Sequence, residues 1–326
     1  MGNADLRDLA HIETVPFETI QGSTLAIDAH NWLYRYLTIT VRFTDSGTYT
    51  TTDGEEVANL IGILQGVAKL LEGDITPIFV FDGQPSTLKA DEIEQRRAER
   101  ASREEALEQA REEGDIVEIS RLESQTQQLT DIIQQTSRGL LDRLDVPYME
   151  APAAGEAQAA VMAKDGVVDA VGSEDYDAML FGAPVTIRQL TSSGQIERLD
   201  LAATLADLDI SYEQLVDAAI LMGTDYNDGI SGYGPKTSVK AVIEHGDLWG
   251  VLDAEDLSIE GADRIRDLYF DPPVSEEIPA IDFPRPDLET AREYVIHDWE
   301  VDETAIERPL QRIEEATRQT GLDSFG

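Results

Sequence analysis

Three apolar runs along the chain each stop at a carboxylate, and that repetition limits the fold more than any other feature. "STLAIDAHNWLYRYL" is a short β-like run that stops at Asp28 and passes into a helical pattern. "DITPIFVFDGQP" is richer in β-branched and aromatic residues and stops at Asp82, before a glycine-containing turn. "VVDAVGSEDYDAMLFG" places Asp175 and Asp177 just past its run. Continuous apolar runs alternating with helical patterns predict parallel strands covered on both faces. The expected class is α/β, with a mostly parallel central sheet flanked by helices. In open sheets of this kind, ligands lie beyond the carboxyl ends of the strands. The acids fall where chemistry is expected.

A further stretch, "YMEAPAAGEAQAAVMA" at residues 148–163, turns at Pro152 and enters an alanine-rich helix carrying Glu156. Taken alone, Glu156 complements a helix dipole, an effect of about 0.3–1 kcal/mol, and each strand-end acid alone fits a cap or a turn. Taken as a set, Asp28, Asp82, Glu156, Asp175 and Asp177 converge at one edge of the expected sheet. Uncompensated, such carboxylates repel or take up protons. Divalent cations resolve the conflict, and oxygen ligands without His or Cys suit Mg²⁺ or Mn²⁺. More acids than one ion uses suggests two ions, which at a spacing of ~3.5–4 Å stabilise the attacking and leaving oxygens of phosphoryl transfer.

Composition narrows the alternatives. The absence of cysteine excludes disulfide and thiolate chemistry, and four scattered histidines disfavour a His-based zinc site. Asp and Glu number 65 against 25 Lys and Arg, a net charge of −40, and only five of the cations are lysines. Regular apolar segments argue for a folded chain, and an acidic, lysine-poor surface is a composition used by halophiles, where salt screens self-repulsion. The length of 326 residues suits one large domain or a core with a subdomain. No apolar run is long enough to span a bilayer, and the opening MGNADLRDLA lacks the form of a signal peptide, so a cytoplasmic protein with no membrane partner is expected. The net charge opposes a polyanion, so a nucleic-acid partner must rest on local features.

One such feature lies at residues 215–246, "LVDAAILMGTDYNDGISGYGPKTSVKAVIEHG". An apolar helix leads to Asp225, then to a glycine-rich connector, and Pro235 opens a second helix. Gly232 and Gly234 permit tight turns, and a first-position proline suits a helix start. The exposed amides of such a start form a ready phosphate site. Lys236 and Lys240 stand one turn apart on one face, two of the five lysines in the chain. Contact with a DNA backbone, independent of base sequence, is the expected use.

Between Asp82 and the alanine-rich helix lies an insertion at roughly 86–144, opening "STLKADEIEQRRAERASREEALEQAREE". It is polar nearly all round, with Glu92–Arg96 and Glu99–Arg103 at i,i+4 spacing, as in a solvated helix. Lys89, Arg96, Arg97, Arg100 and Arg103 nonetheless gather directly after a candidate metal ligand.

Together, "AIDAHNWLY", "PIFVFDGQPSTLK", "APAAGEAQAA", "GSEDYDAMLFGAP" and "LMGTDYNDGISGYGPKTSVKAV" resemble the structure-specific 5′ nucleases, most closely the archaeal and eukaryotic flap endonucleases. The resemblance is firm to about residue 250. It implies a single nuclease domain over 1–326: an N-terminal core at 1–85, a helical arch at 86–144, the remaining core at 145–250, and a C-terminal helical region and tail at 251–326. A helix–two-turn–helix DNA-binding element at about 212–246 is implied too, together with K⁺ at that element. The implied activity is cleavage of 5′ flaps near the junction with duplex DNA, in replication and repair, with two Mg²⁺ ions that Mn²⁺ can replace. Asp28, Asp82, Glu156, Asp175, Asp177 and Asp225 match the family's metal-site carboxylates. Lys89 and Arg96 match basic residues that act on the scissile phosphate, and Tyr34 matches an aromatic near the scissile nucleotide. Gly232, Gly234, Lys236 and Lys240 fall in the duplex-gripping element. The protein is expected to be a monomer that works on branched DNA.

Three positions depart from the family's pattern. Family members usually write the alanine-rich stretch with two acids, the first at position 154, where this chain has Ala154. Gly66 stands where relatives often carry an arginine near the template strand. In the tail "QTGLDSFG", Gln319, Leu322 and Phe325 match a sliding-clamp pattern, but Gly326 replaces a second aromatic. Ala154 predicts a catalytically weakened flap endonuclease. A non-catalytic flap-binding homologue and a Mg²⁺-dependent phosphatase of small molecules are the alternatives, and the Gly-Tyr-Gly-Pro-Lys segment speaks against the latter.

Overall fold

A computed structural model describes residues 4–34, 50–53, 55, 57–83, 131–191 and 194–323; the side chains of residues 4, 5, 131 and 319–323 lie outside that description. The strands are β1 Ile12–Val15, β2 Thr24–Asp28, β3 Thr76–Phe81, β4 Tyr148–Glu150, β5 Ala170–Gly172, β6 Val185–Arg188 and β7 Ile196–Asp200. Among the described residues they form one mixed, mostly parallel sheet in the order β1-β7-β6-β5-β2-β3-β4. The α-helices are, in chain order, α1 Ala58–Glu72, α2 Asp131–Arg143, α3 Gly155–Lys164, α4 Leu201–Leu208, α5 Tyr212–Met222, α6 Pro235–His245, α7 Leu248–Ala254, α8 Ala262–Phe270, α9 Leu288–Glu293 and α10 Glu303–Asp323.

The described residues fall into two compact units, one drawn from Met1–Asp28, Val80–Lys89 and Met149–Ile278, the other from Ala29–Phe79, Ala90–Tyr148 and Pro279–Gly326. In the first unit, β2 runs parallel to β5, with Ile27 opposite Gly172, and β5 runs parallel to β6, with Gly172 opposite Ile187. Leu25, Ala26 and Ile27 are fully buried, as a strand covered on both faces requires. At the edge, β7 is antiparallel to both β6 and β1. Helix α3 packs on β2 and β5. Helix α5 starts at a capping box, Ser211 with Gln214, and packs on α6 and α8.

In the same unit Asp217, fully buried on α5, joins three helices. Its Oδ1 accepts from Arg266 Nε of α8 at 2.6 Å, and its Oδ2 accepts from the Leu248 amide that opens α7 at 3.2 Å.

The second unit is built on α1, which packs against α2 and α10. Gly66 of α1 lies against Trp32; a Cβ there would stand 2.2 Å from Trp32 Cζ2. The position where relatives often carry an arginine thus has no room for a side chain. Buried Asn59 of α1 donates to Ile133 O at 3.2 Å, Thr136 Oγ1 at 2.8 Å and Ser137 Oγ at 2.9 Å. The end of the expected insertion, Asp131–Arg143, is therefore a helix packed within this unit.

Candidate functional site

The six carboxylates read from the sequence all lie in the first unit. Asp82 follows β3 directly, and its Oδ1 accepts from the Gly155 amide at the start of α3 at 2.6 Å. The approach depends on small residues. A Cβ on Gly155 would lie 2.9 Å from Val80 O and 3.0 Å from Asp82 Oδ1, and one on Gly83 would lie 1.8 Å from Ala151 O. The Ala151 amide donates to Phe81 O at 2.9 Å and the Gly83 amide to Ala153 O at 2.8 Å, so 81–83 and 151–153 run side by side. Position 154 is thereby set next to Asp82. Ala154 is the N-cap of α3, with extended backbone (φ −74°, ψ 129°) and no side-chain cap, and Glu156 sits in the first turn.

Asp28 ends β2 and is 6% exposed. Its Oδ2 accepts from Ser173 Oγ at 3.3 Å, and that hydroxyl oxygen accepts from the Asp175 amide at 3.2 Å. Two strand-end acids are thus joined through one serine. Asp177, 1% exposed, opens a short 3₁₀ turn, Asp177–Met179. Fully buried Tyr269 of α8 lies close to both Asp177 and Glu156; burial, then the Asp177 charge, pushes its phenol well above the usual range.

Asp225 follows α5 in a tight turn. The Thr224 amide donates to Asn227 O at 2.9 Å, and Asn227 Nδ2 donates to Ile220 O at 2.8 Å. Gly229 closes the turn at φ 70°, where a Cβ would meet Met222 C at 2.3 Å. Helix α6 then opens with Pro235 at its first turn after Gly234, as the sequence predicts, and Gly232 has φ 92°. Lys236 and Lys240 are exposed on α6.

Ser173 ties Asp28 to Asp175 and Tyr269 lies near Asp177 and Glu156, but among the described residues no three of Asp, Glu, His or Cys stand close enough together to hold one metal ion. Like-charged carboxylates resist closer approach. The donors are all oxygen, the chemistry that suits Mg²⁺ or Mn²⁺. Tyr34 is helical, lies in the second unit and is half-buried. Lys89, Arg96 and Phe325 lie outside the described residues, as do the side chains of Gln319 and Leu322, whose backbone continues α10.

Several residues at the site gave no signal in the sequence. Ser173 could have been suspected only as a hydroxyl between a strand and an acid pair. Tyr269 is 92 positions beyond Asp177 and reads as an ordinary core aromatic. Tyr176, which separates Asp175 from Asp177, has its hydroxyl bonded by Arg7 and Arg188, 169 and 12 positions away in the sequence.

Comparison with known proteins places this α/β sheet, with acids past its strand ends, and the helical hairpin that follows it in the XPG class of nucleases. The XPG N-terminal domain matches residues 3–103 and the XPG I-region residues 145–225. Flap endonuclease 1 of Haloarcula marismortui is 57% identical over 325 residues, covering 100% of both chains. Among solved structures, flap endonuclease-1 from Methanococcus jannaschii superposes with a TM-score of 0.76 at 29% identity, covering 98% of this chain and 100% of that one. The catalytic core of Rad2 in complex with DNA substrate shares the fold, with a TM-score of 0.71 at 22% identity, covering 94% and 97%. The chain belongs to the flap endonuclease 1 family. It is accordingly a nuclease with DNA as its substrate, and its acidic, lysine-poor composition fits the haloarchaeal source of its relative. No helix among the described residues is long and apolar enough to cross a membrane.

Proposed function

We propose that the chain cuts the phosphodiester at the base of a 5′ flap in branched DNA, and that Ala154 weakens this activity. Asp28, Asp82, Glu156, Asp175, Asp177 and Asp225 would hold two Mg²⁺ ions, with Mn²⁺ an effective substitute. The observation that supports this reading best is the Asp82–Gly155 hydrogen bond of 2.6 Å, because it sets position 154 beside a strand-end acid. Bound ions would stabilise the charge that develops on the attacking and leaving oxygens. The chain's own part is to fix the acids, to place Lys89 and Arg96 on the scissile phosphate, and to stack Tyr34 near the scissile nucleotide. Gly232, Gly234 and the start of α6 would grip the duplex, with K⁺ held at the connector. The protein acts as a monomer in the cytoplasm, and Gln319, Leu322 and Phe325 dock it on a sliding clamp.

The decisive experiment follows a labelled 5′-flap substrate in high salt with Mg²⁺, measuring cleavage and binding side by side. Slow, Mg²⁺-dependent cutting at the junction is expected. Tight flap binding with no cutting under any divalent ion would instead mark a non-catalytic flap-binding homologue.

Two further outcomes are expected of DNA binding. Lys236→Ala and Lys240→Ala should each weaken duplex binding by a similar factor whatever the base sequence, because phosphate contacts position without specifying. Losses that vary with sequence across a panel of duplexes would contradict this. Binding should also persist in molar salt, because the charge of −40 repels DNA and screening shortens that repulsion to ~3 Å at 1 M. Counterion release pushes the other way, so a monotonic fall in affinity from low salt upward, with the fold intact, would refute the expectation.

A further inference from the structure

Tyr176 occupies an unusual place: it is the single residue between Asp175 and Asp177, and it is 6% exposed. The Arg188 guanidinium stacks on its ring, 3.9 Å from the centroid. Its hydroxyl accepts from Arg7 Nη1 at 2.6 Å and also from Arg188 Nη1. The same two guanidiniums converge on Glu197 of β7. Arg7 Nη2 donates to Oε1 at 2.9 Å and Arg188 Nη1 to Oε2 at 2.5 Å. The hydrogen bond from Arg7 holds the Glu197 carboxyl below its usual range.

The cluster also seizes the other side of Asp175. Arg188 Nε donates to the Glu174 carbonyl at 2.9 Å, and the Gln189 amide donates to Glu174 Oε1 at 2.9 Å. Gln189 adopts a left-handed backbone (φ 61°), uncommon for a residue with a side chain and kept here together with that bond. Residues 174 and 176 are thus both fastened to the end of β6, and Asp175 is held between them. The Arg188 and Glu197 side chains are 11% and 10% exposed, so neither is a loosely solvated surface ion. Arginine suits the task because its planar fork stacks on a ring and bonds two partners at once.

We propose that the Arg188–Glu197–Arg7 cluster is a clamp that positions Asp175 and Asp177 by gripping Tyr176 between them. The clamp rests on the reading that these two acids hold metal, and it adds three positioning residues outside the set of candidate ligands. Partners that orient metal ligands change metal affinity by about 10–100-fold when removed.

The test is Mn²⁺ binding to the full chain, followed by electron paramagnetic resonance of the free ion, with thermal unfolding measured in parallel. Tyr176→Phe keeps the ring beneath Arg188 and removes only the hydroxyl. Arg188→Lys keeps the charge and loses the fork. Asp177→Asn serves as the control on the site itself. Tyr176→Phe should weaken Mn²⁺ binding by about tenfold with little change in melting temperature, and Arg188→Lys by at least as much. In an Ala154→Glu background, cleavage by Tyr176→Phe should recover as Mn²⁺ is raised, which a merely structural defect would not do. If Tyr176→Phe binds Mn²⁺ as the parent does while Asp177→Asn loses it, the clamp is wrong and the metal site stands. Parental Mn²⁺ affinity in Asp177→Asn would overturn the site and the clamp together.

Discussion

Ala154→Glu is expected to raise Mg²⁺-dependent flap cleavage by orders of magnitude while leaving flap affinity nearly unchanged. A methyl group cannot ligate an ion, and the carboxylate it replaces would stand beside Asp82, whose Oδ1 already bonds the next amide at 2.6 Å. Geometry is the sensitive quantity, since a misplacement of ~1 Å can cost ~100-fold in rate. The fold should accept the change. Position 154 is half-buried and caps α3 without a side-chain hydrogen bond, and negative charge at a helix start is favourable. Binding should persist because α6 and its lysines lie outside the substitution. Single-turnover cleavage in high salt, with Mg²⁺ or Mn²⁺, compares the two proteins. Equal rates would show that position 154 takes no part in holding metal.

The second large effect concerns stability. Asp217→Ala should lower the unfolding free energy by about 3–5 kcal/mol, as removal of one partner from a buried ion pair does. For a protein of this size that corresponds to a fall in melting temperature of about 4–7 °C. Two groups lose their acceptor at once, the Arg266 guanidinium and the Leu248 amide. The Arg318–Glu314 pair on α10 is a useful contrast, with side chains 72% and 45% exposed. Arg318→Ala should cost at most about 1 kcal/mol, because exposed pairs are screened and entropically costly to hold. Calorimetry of both variants at one salt concentration decides. Similar losses in the two would show that Asp217 is not the tie among α5, α7 and α8.

Much of this was legible in the sequence. Strands β2, β3 and β5 announce themselves because they are buried on both faces, which leaves an unbroken apolar run ahead of an acid. The start of α6 was legible because a proline directly after Gly234 is a favoured way to open a helix. The antiparallel edge was not. Strand β1 reads Ile-Glu-Thr-Val with its two middle residues exposed, and β7 carries Glu197, Arg198 and Asp200, so neither resembles a core strand. The polar ties of the site were hidden for another reason. Ser173 with Asp28 and Arg7 with Glu197 are separated by 145 and 190 positions, and no local pattern records such pairings. Ala154 was visible only as a break in a family motif; its proximity to Asp82 had to come from the fold.

The backbone pairing of 81–83 with 151–153 has an evolutionary consequence. Those few hydrogen bonds, and not the intervening sequence, bring Asp82 up to the start of α3. The cost of closing a longer connection grows only logarithmically, by about 0.6 kcal/mol per doubling of its length. The sequence between the two anchor points and ahead of α2 can therefore lengthen or shrink without moving Asp82 from the start of α3. The length of that stretch and the placement of Asp82 are thus open to separate selection.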